Sequence, residues 1–464
     1  MSSTTHSRAP ARVPAHHRPP HVPLPRVAPR FVGPASVAAL VVALAALWLA
    51  ARPAGTPARS YAGQLVGAEA VLLLSIGLVL VSSLPWVEPW FDGIDRAAIW
   101  HRRVVIAGLV LLVPHVALAA NESSSSLGPT FAAVATIGLA ALAVWAILPR
   151  WRSLAPPPLR GAVDTIVALP GARHLVRLLG GYERWRTLHR TTGVFVALGF
   201  VHGLLDGTPF GSGLLRWSYV AIGAVGLAFY AYRELLARWF APLHDYQVET
   251  VRRIAPGLVE IALRPLGRRF EFVPGQFAML YLEGKDGWHR HPFTISSGRD
   301  EELVRVTVKA LGDTTSRAHL VEPGMPAVLG GPHGRFDFRR GTERQVWLAA
   351  GVGVTPFLSW LRSARSGDLP ERVDFFYSAA GTPPFAAEIV ELAADQAGLR
   401  VHLVDTERDG RLTPESVLAA LGGDTRRLSV FMCGPAAMLR TFQTGLRLAG
   451  VRGRDVHREH FDWR

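Results

Sequence analysis

Long apolar segments dominate the first half of the chain, and short alternating segments dominate the second half. Up to about residue 236, six apolar segments are long enough to cross a bilayer as a helix, which takes about 20 residues. They are residues 32–51, 63–85, 98–120, 129–149, 187–206 and 212–234. Residues 1–31 are rich in Pro and Arg without apolar periodicity, which predicts a disordered tail before a six-span domain over residues 32–236.

From residue 244 the pattern changes to short strands separated by Gly and Pro. Residues 244–340 predict an antiparallel β-barrel. Residues 341–464 alternate strand and helix, which is typical of a parallel sheet covered by helices. The predicted fold class is therefore a multi-domain membrane protein, with a six-helix transmembrane bundle, an antiparallel β-barrel and an α/β nucleotide-binding domain.

Charge refines this picture. The 464 residues carry a formal net charge of +14, but no basic stripe is interleaved with aromatic residues, so nucleic acid is not expected as a partner. Arginines are frequent in the N-terminal tail and in loop 150–186, and absent from loops 121–130 and 206–213. The positive-inside rule places both termini in the cytoplasm of a multi-pass protein of the cell (inner) membrane, in contact with lipid. The single cysteine, Cys433, excludes an internal disulfide framework and a thiolate-held iron–sulfur cluster.

Four histidines lie in the third and fifth predicted spans, where ionisable side chains are costly and point to function. His101 and His115 fall within about 40° of one helix face, whereas His189 and His202 are offset by about 140° unless the helix is locally distorted. Because both spans run in the same direction, His101 pairs in height with His189 (the inner pair) and His115 with His202 (the outer pair). Facing imidazoles suit the axial ligation of two haems; local hydrogen bonding or a headgroup position stays open as the alternative. Four arginines flank the inner pair, where haem propionates need cations: Arg102, Arg103, Arg186 and Arg190.

The segment HPFTISS, residues 291–297, carries flavin chemistry. Phe293 offers an aromatic ring to lie on a flavin, and Thr294 a hydroxyl to bond its polar edge. An ordinary strand containing these two residues is the alternative. In VKALGDTTSRA, residues 308–318, Lys309 and the amides near Gly312 suit a diphosphate.

The segment LAAGVGVTPFLSWL, residues 348–361, predicts a dinucleotide site. A strand enters a tight turn at Gly351 and Gly353, Thr355 is expected to cap the next helix, and Pro356 lies in its first turn. The exposed helix N-terminus suits a pyrophosphate.

Two further features lie near the C-terminus. CGP, residues 433–435, follows a later strand at the edge where open sheets bind ligands. A nucleophilic role for Cys433 is possible in principle, but a small residue lining the nicotinamide pocket is the preferred interpretation. An aromatic residue in the terminal HFDWR could cover the flavin until nicotinamide displaces it.

Together these motifs resemble the ferric reductase / NADPH oxidase superfamily. HPFTISS, GVGVTP and FMCGP are similar to motifs of the ferredoxin–NADP reductase module. The histidine pairs on the third and fifth of six spans, and YERWRTLH before the fifth, resemble the ferric-reductase transmembrane domain.

The resemblance implies a role for each matching residue. The inner haem would be held by His101 and His189, and the outer haem by His115 and His202. The FAD motif corresponds to His291, Pro292, Phe293 and Thr294, and the flavin-phosphate segment to Lys309, Gly312 and Thr315. The nicotinamide site corresponds to Gly351, Gly353, Thr355 and Pro356, with Cys433, Gly434 and Pro435 beside it. The candidate catalytic residues are Cys433 and Phe461, the latter as the flavin-shielding aromatic with Trp463 as its rival.

The implied activity is that of an NAD(P)H-dependent flavohaem oxidoreductase. Electrons would pass from cytoplasmic NAD(P)H through FAD and two b-type haems to an external acceptor, most simply a ferric chelate. Superoxide formation from oxygen, supply to a periplasmic partner protein and a haem-free anchor are the alternatives. Ala119 stands where animal NADPH oxidases carry a further histidine implicated in oxygen reduction, which disfavours the oxidase. Arg408 and Arg411 could hold a 2′-phosphate, which slightly favours NADPH over NADH.

Overall fold

The computed structural model describes residues 31–82, 84, 87–119, 125–147, 161, 164–165, 169, 171, 182–236, 243–284, 287–310 and 320–459. The predicted tail and most of loop 150–186 lie outside the described residues. The same holds for Gly312, Thr315, Phe461 and Trp463, whose roles stay predictions.

Helices form the first half. They are α1 (Val32–Ala50), α2 (Ala58–Leu80), α3 (Ile94–Leu118), α4 (Gly128–Ile147), α5 (Tyr182–His189), α6 (Thr192–Asp206) and α7 (Gly213–Ala231), which continues into a π-helical turn, Tyr232–Leu236. Within the described chain, six helical segments are long and apolar enough to cross a membrane, as predicted. The second segment begins five residues earlier than predicted, because the helix starts directly after Pro57 and includes polar residues in its first turns.

The α2 helix is the centre of this bundle. The most apolar part of α2 is 67% buried, against 17–22% for the other five segments. The peripheral helices turn large apolar side chains outward; on α3, Ile106, Val110 and Val113 are 60–72% exposed. Such broad apolar faces suit lipid rather than water, and they suggest a membrane protein.

An antiparallel sheet follows the bundle. Its strands are β1 (Leu243–Ala255), β2 (Leu258–Pro265), β3 (Phe277–Gly284), β4 (Gly287–Thr294), β5 (Val304–Lys309) and β6 (Pro326–His333), in the order β4-β3-β6-β1-β2-β5. The edge strands approach each other through a bridge between Ile295, just after β4, and Val306 of β5. The antiparallel prediction is confirmed, and full closure into a barrel stays a prediction.

A parallel sheet forms the last domain. Its strands are β7 (Arg344–Ala350), β8 (Arg372–Ala379), β9 (Leu399–Asp405), β10 (Leu428–Cys433) and β11 (Val456–Glu459), in the order β11-β10-β7-β8-β9. The intervening helices are α8 (Thr355–Ser363), α9 (Ala386–Ala394), α10 (Pro414–Ala420) and α11 (Ala436–Leu448). The predicted alternation is confirmed; the short edge strand β11 was not predicted.

A buried arginine joins the antiparallel-sheet domain to the parallel-sheet domain. Arg362 on α8 bonds Glu260 of β2 at 3.1 Å, the carbonyl oxygen of Ser296 at 2.8 Å and Glu388 of α9 at 2.7 Å. Its side chain is 4% exposed, so its charge is matched by carboxylates within the interface. The two domains of the second half therefore form one closely packed unit.

The segment 87–94 connects this unit to the bundle. It contains a 3-10 turn, Glu88–Phe91, and leads directly into α3. Glu88 accepts a hydrogen bond from the backbone N–H of Gly334 at 2.9 Å, and Arg340 forms an ion pair with Asp92. Ile94 packs against Phe277 of β3. The helix that carries His101 and His115 thus begins on the surface of the antiparallel sheet.

Candidate functional site

The bundle brings the four histidines together as two pairs. The ring centres of His101 and His189 lie 6.4 Å apart, with an 84° angle between the ring planes. Those of His115 and His202 lie 6.2 Å apart, at 65°. The pairing predicted from span direction is confirmed.

Backbone carbonyls orient three of these rings. The Nδ1 atom of His101 lies 2.9 Å from the oxygen of Gly77, and that of His115 lies 2.8 Å from the oxygen of Gly63. The Nδ1 of His202 lies 3.1 Å from the oxygen of Gly128. A carbonyl oxygen only accepts, so Nδ1 carries the proton and Nε2 keeps a lone pair. Each of these three rings therefore keeps one nitrogen that could serve as a ligand.

The ring separations test whether a metal-bound group fits. Two imidazoles on opposite sides of one metal ion have ring centres about 6.3 Å apart, because a ligating nitrogen lies about 2.0–2.1 Å from the metal and about 1.1 Å from its ring centre. The observed 6.4 and 6.2 Å agree with this value. Each pair supplies two facing nitrogen donors, which fits a metal-bound group that brings its remaining ligands itself. The residues that the structure describes hold no cluster of three or more His, Cys, Asp or Glu suited to a metal ion.

A break between α5 and α6 resolves the 140° offset of the second pair. His189 ends α5, and α6 begins at Thr192. Across the break, backbone bonds join residues three apart, from Thr191 N–H to the oxygen of Leu188 and from Val194 N–H to the oxygen of Thr191. This tighter winding is the local distortion that the sequence required.

The surroundings of the inner pair differ partly from the prediction. Arg190 is engaged in an ion pair with Glu234 at 2.5 Å rather than turned freely to the pair. The charge of Arg233, which the sequence reasoning missed, acts on both inner histidines. The Trp185 ring, also missed, stacks on His189 at 4.8 Å and 17°. Helical spacing could have found Trp185, which lies four residues before His189.

The predicted flavin residues lie together on β4. His291 and Phe293 share one face, with ring centres 6.4 Å apart, and both are half-buried. Pro292 pairs with Met279 on β3. Thr294 is 4% exposed, and its hydroxyl has no hydrogen-bond partner among the described residues. An unpaired buried hydroxyl next to an accessible aromatic ring fits the polar edge of a flavin.

The turn after β7 is the predicted pyrophosphate site. Gly351 adopts a left-handed φ of +55°, and a Cβ there would lie 3.9 Å from the ammonium nitrogen of Lys309. A Cβ on Gly353 would overlap the carbonyl oxygen of Cys433, so this turn touches the predicted CGP segment, and a Cβ on Gly434 would lie 3.1 Å from the Cβ of Ala350. The turn, Lys309 and the residues before Pro435 therefore meet at one edge of the parallel sheet.

One detail of this turn was wrong in the prediction. Thr355 does not cap the helix: the residues Gly351–Val354 form a 3-10 turn, and Thr355 lies inside the first turn of α8. Its hydroxyl donates back to the carbonyl oxygen of Val352 at 3.0 Å. Pro356 does lie in the first turn, as predicted.

Comparison with known proteins identifies the second half. Residues 244–324 match the family model of an FAD-binding domain. An NADPH oxidoreductase of Mycobacterium tuberculosis is 31% identical over 225 residues, which are 46% of this chain and 58% of that protein. A probable dihydroorotate dehydrogenase B (NAD(+)), electron transfer subunit, of Methanopyrus kandleri is 30% identical over 206 residues, 44% of this chain and 70% of that protein. The chain belongs to the ferredoxin–NADP reductase-type flavoproteins.

The second half, here called the reductase module, is thus an FAD- and NAD(P)-binding module of the ferredoxin–NADP reductase type. The chain spans about three fifths of the first curated relatives, 58% and 62% of their lengths. A crystal structure of a ferredoxin NADP+ reductase from Neisseria gonorrhoeae with bound FAD and NADP aligns with a TM-score of 0.41 at 19% identity, covering 47% of this chain and 98% of that chain.

Two residues of the reductase module are less available than their sequence motifs suggest. Cys433 is fully buried in the core, and burial raises the pKa of its thiol well above the ordinary range. A neutral thiol is a poor nucleophile, which disfavours the nucleophilic role of Cys433. Its place as a small residue lining the nicotinamide pocket stays a prediction. Arg408 is bound to Asp409 at 2.8 and 3.1 Å, so its charge is already matched.

Proposed function

We propose that this protein transfers electrons from NAD(P)H across a membrane to an external acceptor, and that the acceptor is a ferric chelate. One observation carries the proposal. Two facing histidine pairs, each spaced for a bis-imidazole site, lie at two heights of an apolar bundle whose third helix begins on the reductase module.

The residues divide the work. His101 with His189 and His115 with His202 would each hold one haem, and the Nδ1 contacts of His101, His115 and His202 keep the Nε2 lone pairs of these three rings available. When bound, FAD accepts a hydride and releases single electrons, and haem iron exchanges one electron at a time. Phe293 and Thr294 would orient the flavin, while Lys309 and the Gly351 turn bind phosphates.

The orientation follows from charge. Arginine-rich segments precede α1 and lie between α4 and α5, so we place both termini and the reductase module in the cytoplasm of the cell membrane. His115 and His202 then lie towards the outside. Ala119 lies one helical turn beyond His115, where animal NADPH oxidases carry a histidine implicated in oxygen reduction. The missing imidazole disfavours oxygen as the acceptor relative to a ferric chelate.

The haem count is the first test. A reduced-minus-oxidised spectrum of the purified protein should show low-spin haem bands, with two haems per chain. His115→Ala and His202→Ala should each remove the outer haem and leave the inner one. A preparation that folds and binds FAD but shows no haem bands would refute the transmembrane relay and leave a reductase with an apolar anchor.

The acceptor is tested separately. Under anaerobic conditions, NAD(P)H oxidation should continue when a ferric chelate is added, and His115→Ala should abolish it. Activity that requires oxygen and ignores iron would indicate superoxide formation instead. Activity that appears only with an added periplasmic protein would indicate a docking partner.

A further inference from the structure

The four histidines differ in what holds their Nδ1 atoms. His101 and His115 each contact one carbonyl oxygen, and the Nδ1 of His189 is buried without a hydrogen bond to any described residue. His202 contacts a carbonyl oxygen and also a carboxylate, Oδ2 of Asp206, at 3.1 Å. The outer pair therefore contains one histidine whose Nδ1 also contacts the side chain of an aspartate.

The position of Asp206 is determined by the packing of α6 against α4. Asp206 lies one turn after His202 on α6, and its side chain is 11% exposed. It approaches the first residue of α4, Gly128, so closely that a Cβ there would overlap the carboxylate. The side-chain oxygens of Asp206 therefore lie at the N-terminus of a 20-residue helix, where the backbone N–H groups favour a negative charge. Gly128 also supplies the carbonyl oxygen that contacts His202, so one glycine shapes the whole arrangement.

A carboxylate that accepts a hydrogen bond from a ligating histidine fixes the tautomer and ring orientation and makes the ligand more basic. A more basic ligand stabilises the oxidised metal relative to the reduced metal. A haem held by the outer pair would therefore be a stronger electron donor than one held by the inner pair, where His189 has no such support among the described residues.

We propose that Asp206 is a positioning residue for His202 and that it lowers the reduction potential of the haem held by His115 and His202. This assignment rests on the proposed function. It adds that the donor strength of the outer site depends on a side chain that acts through His202.

The test is a redox titration of the full-length protein, read by haem absorbance. Asp206→Asn keeps the size and the hydrogen-bond acceptor but removes the charge. It should change the oxidised/reduced equilibrium of the outer haem about tenfold in favour of the reduced form. For one electron this raises the reduction potential by about 59 mV. Asp206→Glu keeps the carboxylate, so its outer-haem potential should stay close to that of the unmodified protein. The inner-haem potential should not change.

A second variant displaces the carboxylate by enlarging the residue that it packs against, Gly128. Gly128→Ala leaves Asp206 and His202 intact but displaces the carboxylate, so it should shift the outer potential in the same direction. Gly213→Ala, at the start of α7, adds the same methyl group in open space and is the matched control. Unchanged outer potentials in both Asp206→Asn and Gly128→Ala would overturn the assignment, as would equal shifts of both haems. Absence of haem from the unmodified protein would instead refute the proposed function.

Discussion

Gly67 on α2 gives the sharpest test of the outer histidine site. It faces His115, and a Cβ at this position would lie 2.6 Å from Nδ1 and 2.7 Å from Cε1 of that ring. Because ordinary contact begins near 3.4 Å, Gly67→Ala requires the ring to move away from α2 by about 0.8 Å. The methyl group is small, but it is placed against the atom that orients the ligand.

The expected loss follows from this displacement. Gly63, whose oxygen lies 2.8 Å from His115 Nδ1, is one turn from Gly67 on the same face of α2, so the shift also lengthens this bond. At about 3.6 Å it no longer counts as a hydrogen bond. Loss of such an orienting contact typically lowers metal affinity 10–100-fold, or about 1.4–2.8 kcal/mol. We expect Gly67→Ala to lose most of the outer haem and to keep the inner one.

The measurement is the ratio of haem to protein after purification, together with the reduced-minus-oxidised spectrum. The ratio should fall from two towards one. Gly199→Ala is the matched control, because it adds a methyl group inside α6 that would meet only Ala135, at an ordinary 3.7 Å. Two haems and an unshifted spectrum in Gly67→Ala would refute the assignment of His115 as a ligand held through α2.

Three further predictions concern other parts of the chain. Trp185→Leu should alter the electron paramagnetic resonance of the inner haem by freeing the His189 ring, whereas Trp185→Phe should preserve it; identical spectra in all three proteins would contradict the stacking role. Asp92→Asn, which breaks the ion pair with Arg340, should slow haem reduction roughly tenfold in stopped-flow experiments and leave flavin reduction by NAD(P)H unchanged. An unchanged rate of haem reduction would show that this ion pair does not align the helical bundle with the reductase module. Cys433 should resist iodoacetamide at pH 8 in the folded protein, because burial raises the pKa of its thiol and keeps it neutral, and should be alkylated after unfolding; a mass increase in the folded protein would contradict this.

The histidine pairing was predictable because it depends on quantities that a sequence contains. Helical rise fixes the height of each residue, and the alternation of span direction decides which heights coincide. The four ring positions agree with that reasoning. The strands of the reductase module were predictable for a similar reason, since period-two patterns and Gly–Pro punctuation are local signals.

Contacts between distant segments were not predictable in this way. The bond between Glu88 and the N–H of Gly334 joins residues 246 positions apart, and neither segment carries a pattern that anticipates the other. The same limit applies to Arg233, whose proximity to the inner pair depends on how α7 packs. The prediction that Thr355 caps α8 was wrong for the opposite reason. A threonine before a helix usually caps it, and this local rule does not detect the 3-10 turn that moves the start of the helix.

The break between α5 and α6 shows how an inconsistency in sequence reasoning can be informative. A regular helix through His189 and His202 would turn one of them away from α3, so either the pairing or the regular helix had to be abandoned. The residues at the break supply the reason: the hydroxyl groups of Thr191 and Thr192 donate to the carbonyl oxygens of Leu188 and His189. Such back-bonding competes with helical hydrogen bonds and bends helices. The two adjacent threonines therefore favour the distortion that lets both histidines face the third span.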